Sequence, residues 1–402
     1  MQPTDISNPD YFHKVVDCQW ACPAHTPVPE YIRLIADRRY TDAFMVNWES
    51  NVFPGILGRT CDRPCEPACR RGRVEKEPVA ICRLKRVAAD NKGDIRPYLP
   101  AIPREKNGKR IALVGAGPAS LTVARDLMPL GYHCVMFDGD VKGGGMMRTQ
   151  IPRFRLPESI TDEEVDLVLD MGVETRFGKF APSLKELLRE GWDAVFVGCG
   201  APRGRDLDIP GRQQAAANIH IGIDWLSSVS FGHIDKIGRR VVVLGGGNTA
   251  MDCCRSSRRL GGEEVTVVVR SGFDEMKASA WEKEDATHEG IPILNWLVPK
   301  EFTHERGQLT GVLFEKVKAD YDARGRRNLV PTGEPDVHIP CDDVLIAVGQ
   351  ENAFPWIERD IGIEFDRWDM PKVNPKTMQS TLPNVFFGGD AAFGPKNIIW
   401  AV

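Results

Sequence analysis

Six of the eleven cysteines in this 402-residue chain lie at its start: Cys18, Cys22, Cys61, Cys65, Cys69 and Cys82. Cys18-Gln-Trp-Ala-Cys22-Pro23 reads C-x3-C-P, and Cys61, Cys65 and Cys69 form a C-x3-C-x3-C run. Clustered thiolates suit a metal ion or an iron–sulfur centre. A disulfide scaffold suits small secreted domains instead. This chain is long, its cysteine total is odd, and its first residues, MQPTDISNPDYFHK, lack the apolar stretch of a secretory signal. Cys134, Cys199, Cys253, Cys254 and Cys341 are scattered through the remainder. The adjacent Cys253 and Cys254 read as packing residues, and Cys199 in Val197-Gly-Cys-Gly200 as a small residue beside a cofactor. No His lies at a telling spacing from a carboxylate or Ser, so no acid–base catalyst is assigned.

Two glycine fingerprints follow. Lys109-Arg-Ile-Ala-Leu-Val leads into Gly115-Ala-Gly117-Pro118-Ala119-Ser120, and Arg240-Val-Val-Val-Leu leads into Gly245-Gly246-Gly247-Asn248-Thr249-Ala250. Each copy follows a strand pattern, opens a helix and is followed by a second strand pattern. The first glycine makes a tight turn, and the next lets backbone approach a diphosphate. The third, small residue lets helix pack on strand, and the helix start offers free N–H groups to the anion. Ser120 and Ala250 replace the usual third glycine. Asp138, at the end of the first copy's second strand, can take both ribose hydroxyls and suits FAD or NAD. Arg270 holds the equivalent place in the second copy, where a cation can pair a 2′-phosphate; this favours NADP and leaves NAD open. Gly388-Gly389-Asp390 after a late strand suits the ribityl and diphosphate of FAD. Gly143-Gly144-Gly145-Met146 is a second loop of close backbone approach, with a flexible turn as its alternative.

With those motifs in place, the sequence resembles the NAD(P)H-oxidising, FAD- and iron–sulfur-containing family of the glutamate synthase small subunit. The N-terminal part of dihydropyrimidine dehydrogenase and the electron-bifurcating NADH-ferredoxin:NADP oxidoreductase are similar. The resemblance rests on Gly58-Arg-Thr-Cys61-Asp-Arg-Pro-Cys65-Glu-Pro-Ala-Cys69, Val114-Gly-Ala-Gly-Pro-Ala119, Gly144-Gly-Met with Ile151-Pro-Arg-Phe-Arg-Leu-Pro157, Gly245-Gly-Gly-Asn-Thr-Ala-Met-Asp252, Ile346-Ala-Val-Gly-Gln350 and Gly388-Gly-Asp390, which run in family order. It implies an FAD site at Gly115, Gly117, Asp138, Gly144, Met146, Arg155, Gly389 and Asp390. Pro118, Ala119, Ser120, Gly145, Leu156, Gly200, Asn397 and Ile398 are further cofactor-binding positions. It implies an NAD(P) site at Gly246, Gly247, Asn248, Thr249, Arg270, Gly349 and Gln350, with Gln350 alternatively facing the FAD. The first C-x2-C of the family is missing. The resemblance therefore implies one [4Fe-4S] cluster, held by Cys22, Cys61, Cys65 and Cys82, with Cys18 and Cys69 left over and a second cluster doubtful. Tetrahedral zinc is the alternative for four thiolates. The family continues beyond Val402 into a helix that meets the flavin, so further chain or a partner is expected to cover that edge.

These residues need three supporting units. Residues 1–95 are expected to form a small helical iron–sulfur domain, with helices over Val28–Asp37 and Ile81–Asp90 and a loop, Phe53–Cys69, hard to order without ligation. Residues 96–108 carry three prolines and read as a linker. The expected fold class is α/β: two Rossmann-like dinucleotide-binding domains, FAD over 109–222 and 336–402, with an NAD(P) domain inserted over 223–335. Charge is near balance, 52 Lys and Arg against 56 Asp and Glu, which argues against a general nucleic-acid binder. No apolar run approaches the length of a membrane span, and a cytoplasmic location is expected. Arg59, Arg63, Arg70, Arg71 and Arg73 surround the cysteine loop; they could dock an acidic partner or form a solvated face.

A nicotinamide gives two electrons at once and an iron–sulfur centre takes one, so a flavin must connect them. The expected function is an NAD(P)H:acceptor electron-transfer subunit. Its partner would be an iron–sulfur oxidoreductase: a 2-oxoacid dehydrogenase, a glutamate synthase or a ferredoxin-type complex. A stand-alone disulfide or quinone reductase is one alternative, though it would need a redox dithiol by the flavin. A cofactor-bearing structural adaptor without turnover is another.

Overall fold

A computed structural model describes residues 16–181, 183–322 and 324–402. Its contacts divide the chain into two compact units.

The first unit comprises 1–147, 153–201 and 352–402. Its described residues begin with five α-helices: α1 Asp17–Ala21, α2 Val28–Ala36, α3 Tyr40–Asn51, α4 Pro54–Thr60 and α5 Ile81–Asn91. Val28, Tyr31 and Leu34 recur at helical spacing on α2 and are buried against Ala43, Ile81 and Ala88. The segment expected to be a bare loop thus contains α4. Pro54 pre-sets its first turn, and its Gly55, Ile56, Leu57 and Gly58 are all buried. A Cβ on Gly58 would lie 2.8 Å from the Arg86 backbone, so only glycine lets α4 and α5 approach this closely.

After the linker comes a five-stranded parallel sheet built from β1 Arg110–Val114, β2 His133–Asp138, β3 Glu174–Phe177 and β4 Ala194–Val197. The late strand Val385–Phe387 closes its edge, giving the order Val385–Phe387, β4, β1, β2, β3. Ile111 to Val114 are buried, as are Val195, Val197 and Phe387, so the central strands are the continuous apolar runs of a sheet covered on both faces, while the edge strand β3 is largely polar and exposed. Helix α6, Pro118–Leu127, links β1 to β2, and Gly131 ends the connection in the left-handed region at φ 83°. Helix α7 is the short Met146–Thr149, and α8 spans Glu158–Leu169.

The second unit comprises 148–152 and 202–351. It carries its own parallel sheet, made of β5 Ile219–Ile221, β6 Arg240–Leu244, β7 Glu264–Val269, β8 Ile293–Asn295 and β9 Asp343–Ile346, ordered β5, β9, β6, β7, β8. The expected insert, 223–335, is therefore too narrow. The sequence pattern assigns β9 to the first sheet, but Asp343–Ile346 pairs with Val241–Leu244, and β5 pairs with β9. All four β9 residues are buried, and Asp343 accepts a hydrogen bond from the Gly238 amide at 2.7 Å and contacts His220 at 3.2 Å. The unit also has antiparallel strands over Leu297–Glu305, Gln308–Tyr321, Arg327–Pro331 and Val337–Pro340. Val344 and Leu244 share a core with Phe302 and Phe314 from these strands.

Candidate functional site

The N-terminal helices converge on the thiols. Cys22, Cys61, Cys65, Cys69 and Cys82 are buried, and Cys18 is half-buried. None of the eleven cysteines is in a disulfide. Cys22 follows the end of α1, Cys61 is the residue that ends α4, and Cys82 lies in the first turn of α5. Cys61 and Cys82 are in hydrogen-bond contact; this, with burial, holds the Cys61 thiol well above its ordinary range. Cys82 also touches Cys65. Its contact with Cys61 pulls its pKa down, but Cys65 and burial outweigh it and push the thiol up to about 12. Cys18 instead faces Cys69, and burial, then that neighbour, raises its pKa.

A fully buried cation stands among these thiols. Burial alone would lower the Lys85 ammonium, but Cys82, Cys61, Cys22 and Cys65 together hold it above its ordinary value. Those are the four thiols assigned above to one cluster. Four thiolates around an iron–sulfur cubane are anionic overall, and a buried anion needs a compensating cation. The donor set and Lys85 therefore fit that group. Among the described residues, no group of three or more His, Cys, Asp or Glu is placed to hold a single metal ion. The cysteine loop is held by its own bonds: the Arg63 amide donates to Cys61 Sγ at 3.4 Å, and the Cys82 amide to Glu66 Oε1 at 3.0 Å. The surrounding arginines pair with acids: Arg59 with Asp90, Arg63 with Glu66, Arg70 and Arg73 with Asp17, and Arg71 with Glu75. Arg70, Arg71 and Arg73 are exposed, as a solvated face requires, whereas the Arg59 and Arg63 side chains are only 8% and 19% exposed.

The first fingerprint forms a cradle in the same unit. Gly115 has φ 96°, and a Cβ there would lie 2.6 Å from Gly198 O and 2.7 Å from Cys199 Cα. Gly117 starts α6, with Pro118 next, and Gly200 lies beyond Cys199 at φ 71°. Gly144 donates to Ala116 O at 2.8 Å, so the second glycine loop folds over the first. A Cβ on Gly145 would stand 2.8 Å from Gly117 Cα. Asp138 accepts from the Ala116 amide at 2.6 Å and from the Asp140 amide at 2.8 Å, and burial raises its pKa. Its carboxylate thus braces the turn, with acceptor capacity left for a ribose. A Cβ on Gly389 would meet Ala119 and Ala401 at 3.2 and 3.3 Å, so the Gly388-Gly389-Asp390 turn lies on the start of α6. Asp390 is held by the Lys396 amide at 3.0 Å. Met146 is half-buried beside the cradle loop. Arg155 is half-buried and Leu156 is buried in the core; Ser120 is enclosed, its Oγ 2.3 Å from where a Gly198 Cβ would sit. Asn397 leads into a short helix that starts at the buried Ile398.

The second fingerprint lies in the second unit. A Cβ on Gly245 would strike Ala347 O at 2.2 Å, while nothing lies within 4 Å of one on Gly247, so the backbone there is open to a ligand. Gly246 packs closely on Val269. Helix α9, Asn248–Arg259, starts here; Asn248 Oδ1 accepts from the Ser279 amide at 2.9 Å, and Thr249 is half-buried. Arg270 directly follows β7 and is exposed. Gly349 O accepts from the Arg205 amide at 3.0 Å, and Gln350 Nε2 donates to Gln150 Oε1 at 2.7 Å. Cys253 and Cys254 are buried on α9, with their Sγ atoms on separate backbone carbonyls, those of Gly222 and Met251. That is packing, and it offers no dithiol to a disulfide reductase.

Residues 109–402 match the family model described as pyridine nucleotide-disulphide oxidoreductase. The chain belongs to that family. Residues 13–95 match the 4Fe-4S domain II of dihydropyrimidine dehydrogenase. The β subunit of NADPH-Fe(3+) oxidoreductase from Geobacter sulfurreducens is 33% identical over 98% of this chain and 64% of its own length. The β subunit of NADP(+)-dependent formate dehydrogenase from Moorella thermoacetica is 34% identical, over 96% of this chain and 58% of its own length. The small chain of NADPH glutamate synthase from Azospirillum brasilense is 31% identical, over 96% and 83%. This chain thus spans less than two thirds of the first two relatives. Among solved structures, Mycobacterium tuberculosis FprA in complex with NADPH shares the fold at TM-score 0.60 and 20% identity, covering 72% of this chain and 80% of its own. Thioredoxin reductase of T. acidophilum aligns at TM-score 0.56 and 19% identity, over 72% and 93%.

As a member of the pyridine nucleotide-disulphide oxidoreductase family with a 4Fe-4S domain, the chain is an NAD(P)H-dependent oxidoreductase whose cofactors are FAD, NAD(P) and an iron–sulfur cluster. No described helix is long and apolar enough to cross a membrane.

Several residues of the site escape motif reading. Lys85 and Glu164 beneath the start of α4 lie in no motif, and Asp62, within the cysteine run, carries no role there that its spacing discloses. A lysine whose neighbours on the helix face are Ile81, Cys82, Ala88 and Ala89 was the one available signal, since those positions mark its buried stripe.

Proposed function

We propose that this chain is the NADP(H)-linked electron-transfer subunit of a larger iron–sulfur oxidoreductase. The observation that carries the reading is that the thiol pocket and the first fingerprint cradle share one compact unit, and one buried side chain, Glu164, holds the helix that ends at Cys61. When bound, FAD supplies the exchange between two-electron and one-electron chemistry. The chain's own work is binding and positioning. Gly115, Gly117, Gly144 and Gly389 clear space for the FAD diphosphate, while Asp138 and Asp390 take its hydroxyls. Cys22, Cys61, Cys65 and Cys82 hold one cluster, and Lys85 offsets its charge. Gly247 and the start of α9 take the nucleotide diphosphate, and exposed Arg270 pairs the 2′-phosphate of NADP. The names of the relatives, β subunits of an NADPH- and an NADP(+)-linked enzyme, support this nucleotide and a place in an assembly of more than one subunit.

Anaerobic titration of the holoprotein with NADPH and, separately, NADH tests the reading. Bleaching of the flavin, followed by reduction of an added one-electron dye, is expected, with NADPH effective at the lower concentration. Absence of bleaching with either nucleotide would leave the structural-adaptor alternative standing.

A further inference from the structure

Where the cysteine loop meets the FAD cradle, one side chain bridges the two. Asn397 Nδ2 donates to Asp62 Oδ2 at 2.5 Å, and Asp62 directly follows Cys61. The other end of the same amide, Oδ1, is shut off from solvent and has no hydrogen-bond partner. An ionised carboxylate only accepts, so Asp62 fixes the amide's orientation, with Nδ2 toward the loop and Oδ1 away from it. Leaving a buried carbonyl unpaired is costly, and such atoms in folded proteins mark an absent partner. The surroundings say which partner. The helix beginning at Ile398 rests on α6, a Cβ on Gly389 would meet both Ala119 and Ala401, and Asp390 takes the amide of Lys396. Asn397 therefore stands at the rim of the cradle that, on the reading under Proposed function, holds FAD. Oxidised isoalloxazine carries one ring N–H donor, N3–H on its pyrimidine edge.

We infer that Asn397 is a positioning residue that accepts the flavin N3–H at Oδ1 while its Nδ2 grips Asp62, so that the flavin and the loop carrying Cys61 are registered by a single amide. Asp62 acts on the flavin only through Asn397. The inference rests on the FAD-site reading of Proposed function.

The test measures FAD dissociation from the holoprotein by recovery of flavin fluorescence in Asn397→Leu, Asp62→Ala and the double variant. Iron and sulfide content serves as the folding control. Loss of one hydrogen bond is expected to weaken FAD about tenfold in Asn397→Leu. Asp62→Ala frees the amide to turn, and is expected to weaken FAD about threefold to tenfold alone and not further in the Asn397→Leu background. Wild-type FAD affinity in Asn397→Leu, or additive effects in the double variant, would overturn the inference. Gly117→Val separates the two readings. If it releases FAD while Asn397→Leu does not, the bridge fails and the cradle stands; if Gly117→Val keeps FAD, the cradle assignment itself fails.

Discussion

Glu164 on α8 is the most consequential buried acid in the first unit. Its Oε1 accepts from the Gly55 amide at 2.6 Å and its Oε2 from the Ile56 amide at 2.9 Å, capping the start of α4, which ends at Cys61. It is 1% exposed. Burial raises its pKa from an ordinary 4.5 to about 7, against the pull of the two amides and of Lys92. A difference of one in pKa between the folded and unfolded chain is worth about 1.36 kcal/mol, so roughly 3 kcal/mol of stability depends on its protonation. The direction follows from the raised folded-state value. Below pH 4.5 the acid is protonated in both states, and its contribution is complete. As pH rises, the unfolded chain ionises first, and stability falls until the folded carboxyl ionises at about 7. Glu164→Gln keeps one acceptor and sets an NH2 against the other amide, a cost that does not vary with pH. The wild-type minus Glu164→Gln difference in unfolding free energy is therefore expected to fall by roughly 3 kcal/mol between about pH 4.5 and about pH 8. Urea unfolding followed by tryptophan fluorescence at several pH values measures it. The Lys92–Glu163 pair, at 2.6 Å, is common to both proteins and cancels in the difference, while the pull of Lys92 on Glu164 is already contained in the value of about 7. A difference that stays flat across this range would refute the buried-acid reasoning.

Three further outcomes are expected. Cys82→Ser should abolish the cluster absorbance, while Cys69→Ser should retain about four irons per chain; the reverse result would exchange these two cysteines in the ligand set. Arg270→Ala should weaken NADPH about tenfold or more in a binding titration and leave NADH nearly unchanged, whereas full NADPH affinity would remove its assigned role. Gly115→Ala forces a Cβ against Gly198 O and Cys199 Cα at a positive φ, and should cost on the order of 3 kcal/mol and expel FAD. Thermal melting and the flavin-to-protein absorbance ratio check both.

Local chemistry made much of this molecule legible. A strand, a glycine turn and a helix recur at Gly115 and Gly245 because diphosphate binding constrains consecutive residues, and β1, α6, β2, β6 and α9 all lie where those patterns place them. The C-x3-C spacings likewise announce ligation through neighbours in sequence. Boundaries were less legible. Nothing local in Asp343–Ile346 distinguishes a strand of one parallel sheet from a strand of another, since both demand the same unbroken apolar run; only pairing with β6 assigns it. The antiparallel strands between Leu297 and Pro340 carry irregular burial and bulges, which blur a two-residue period. Helix α4 hides in a Pro- and Gly-rich stretch because its stability comes from burial and from Glu164, 109 residues away from Gly55.

The sequence by itself thus pointed to the chemistry: thiols for iron and sulfur and two dinucleotide turns, with Asp138 and Arg270 as the proposed partners of a ribose and a 2′-phosphate. Tertiary structure alone decided how these parts are braced. Lys85 among four thiols, Glu164 on the start of α4, and Asn397 on Asp62 are contacts between residues far apart in the chain. A buried charge or a lone amide gains meaning only from what surrounds it, and no spacing in the chain records that.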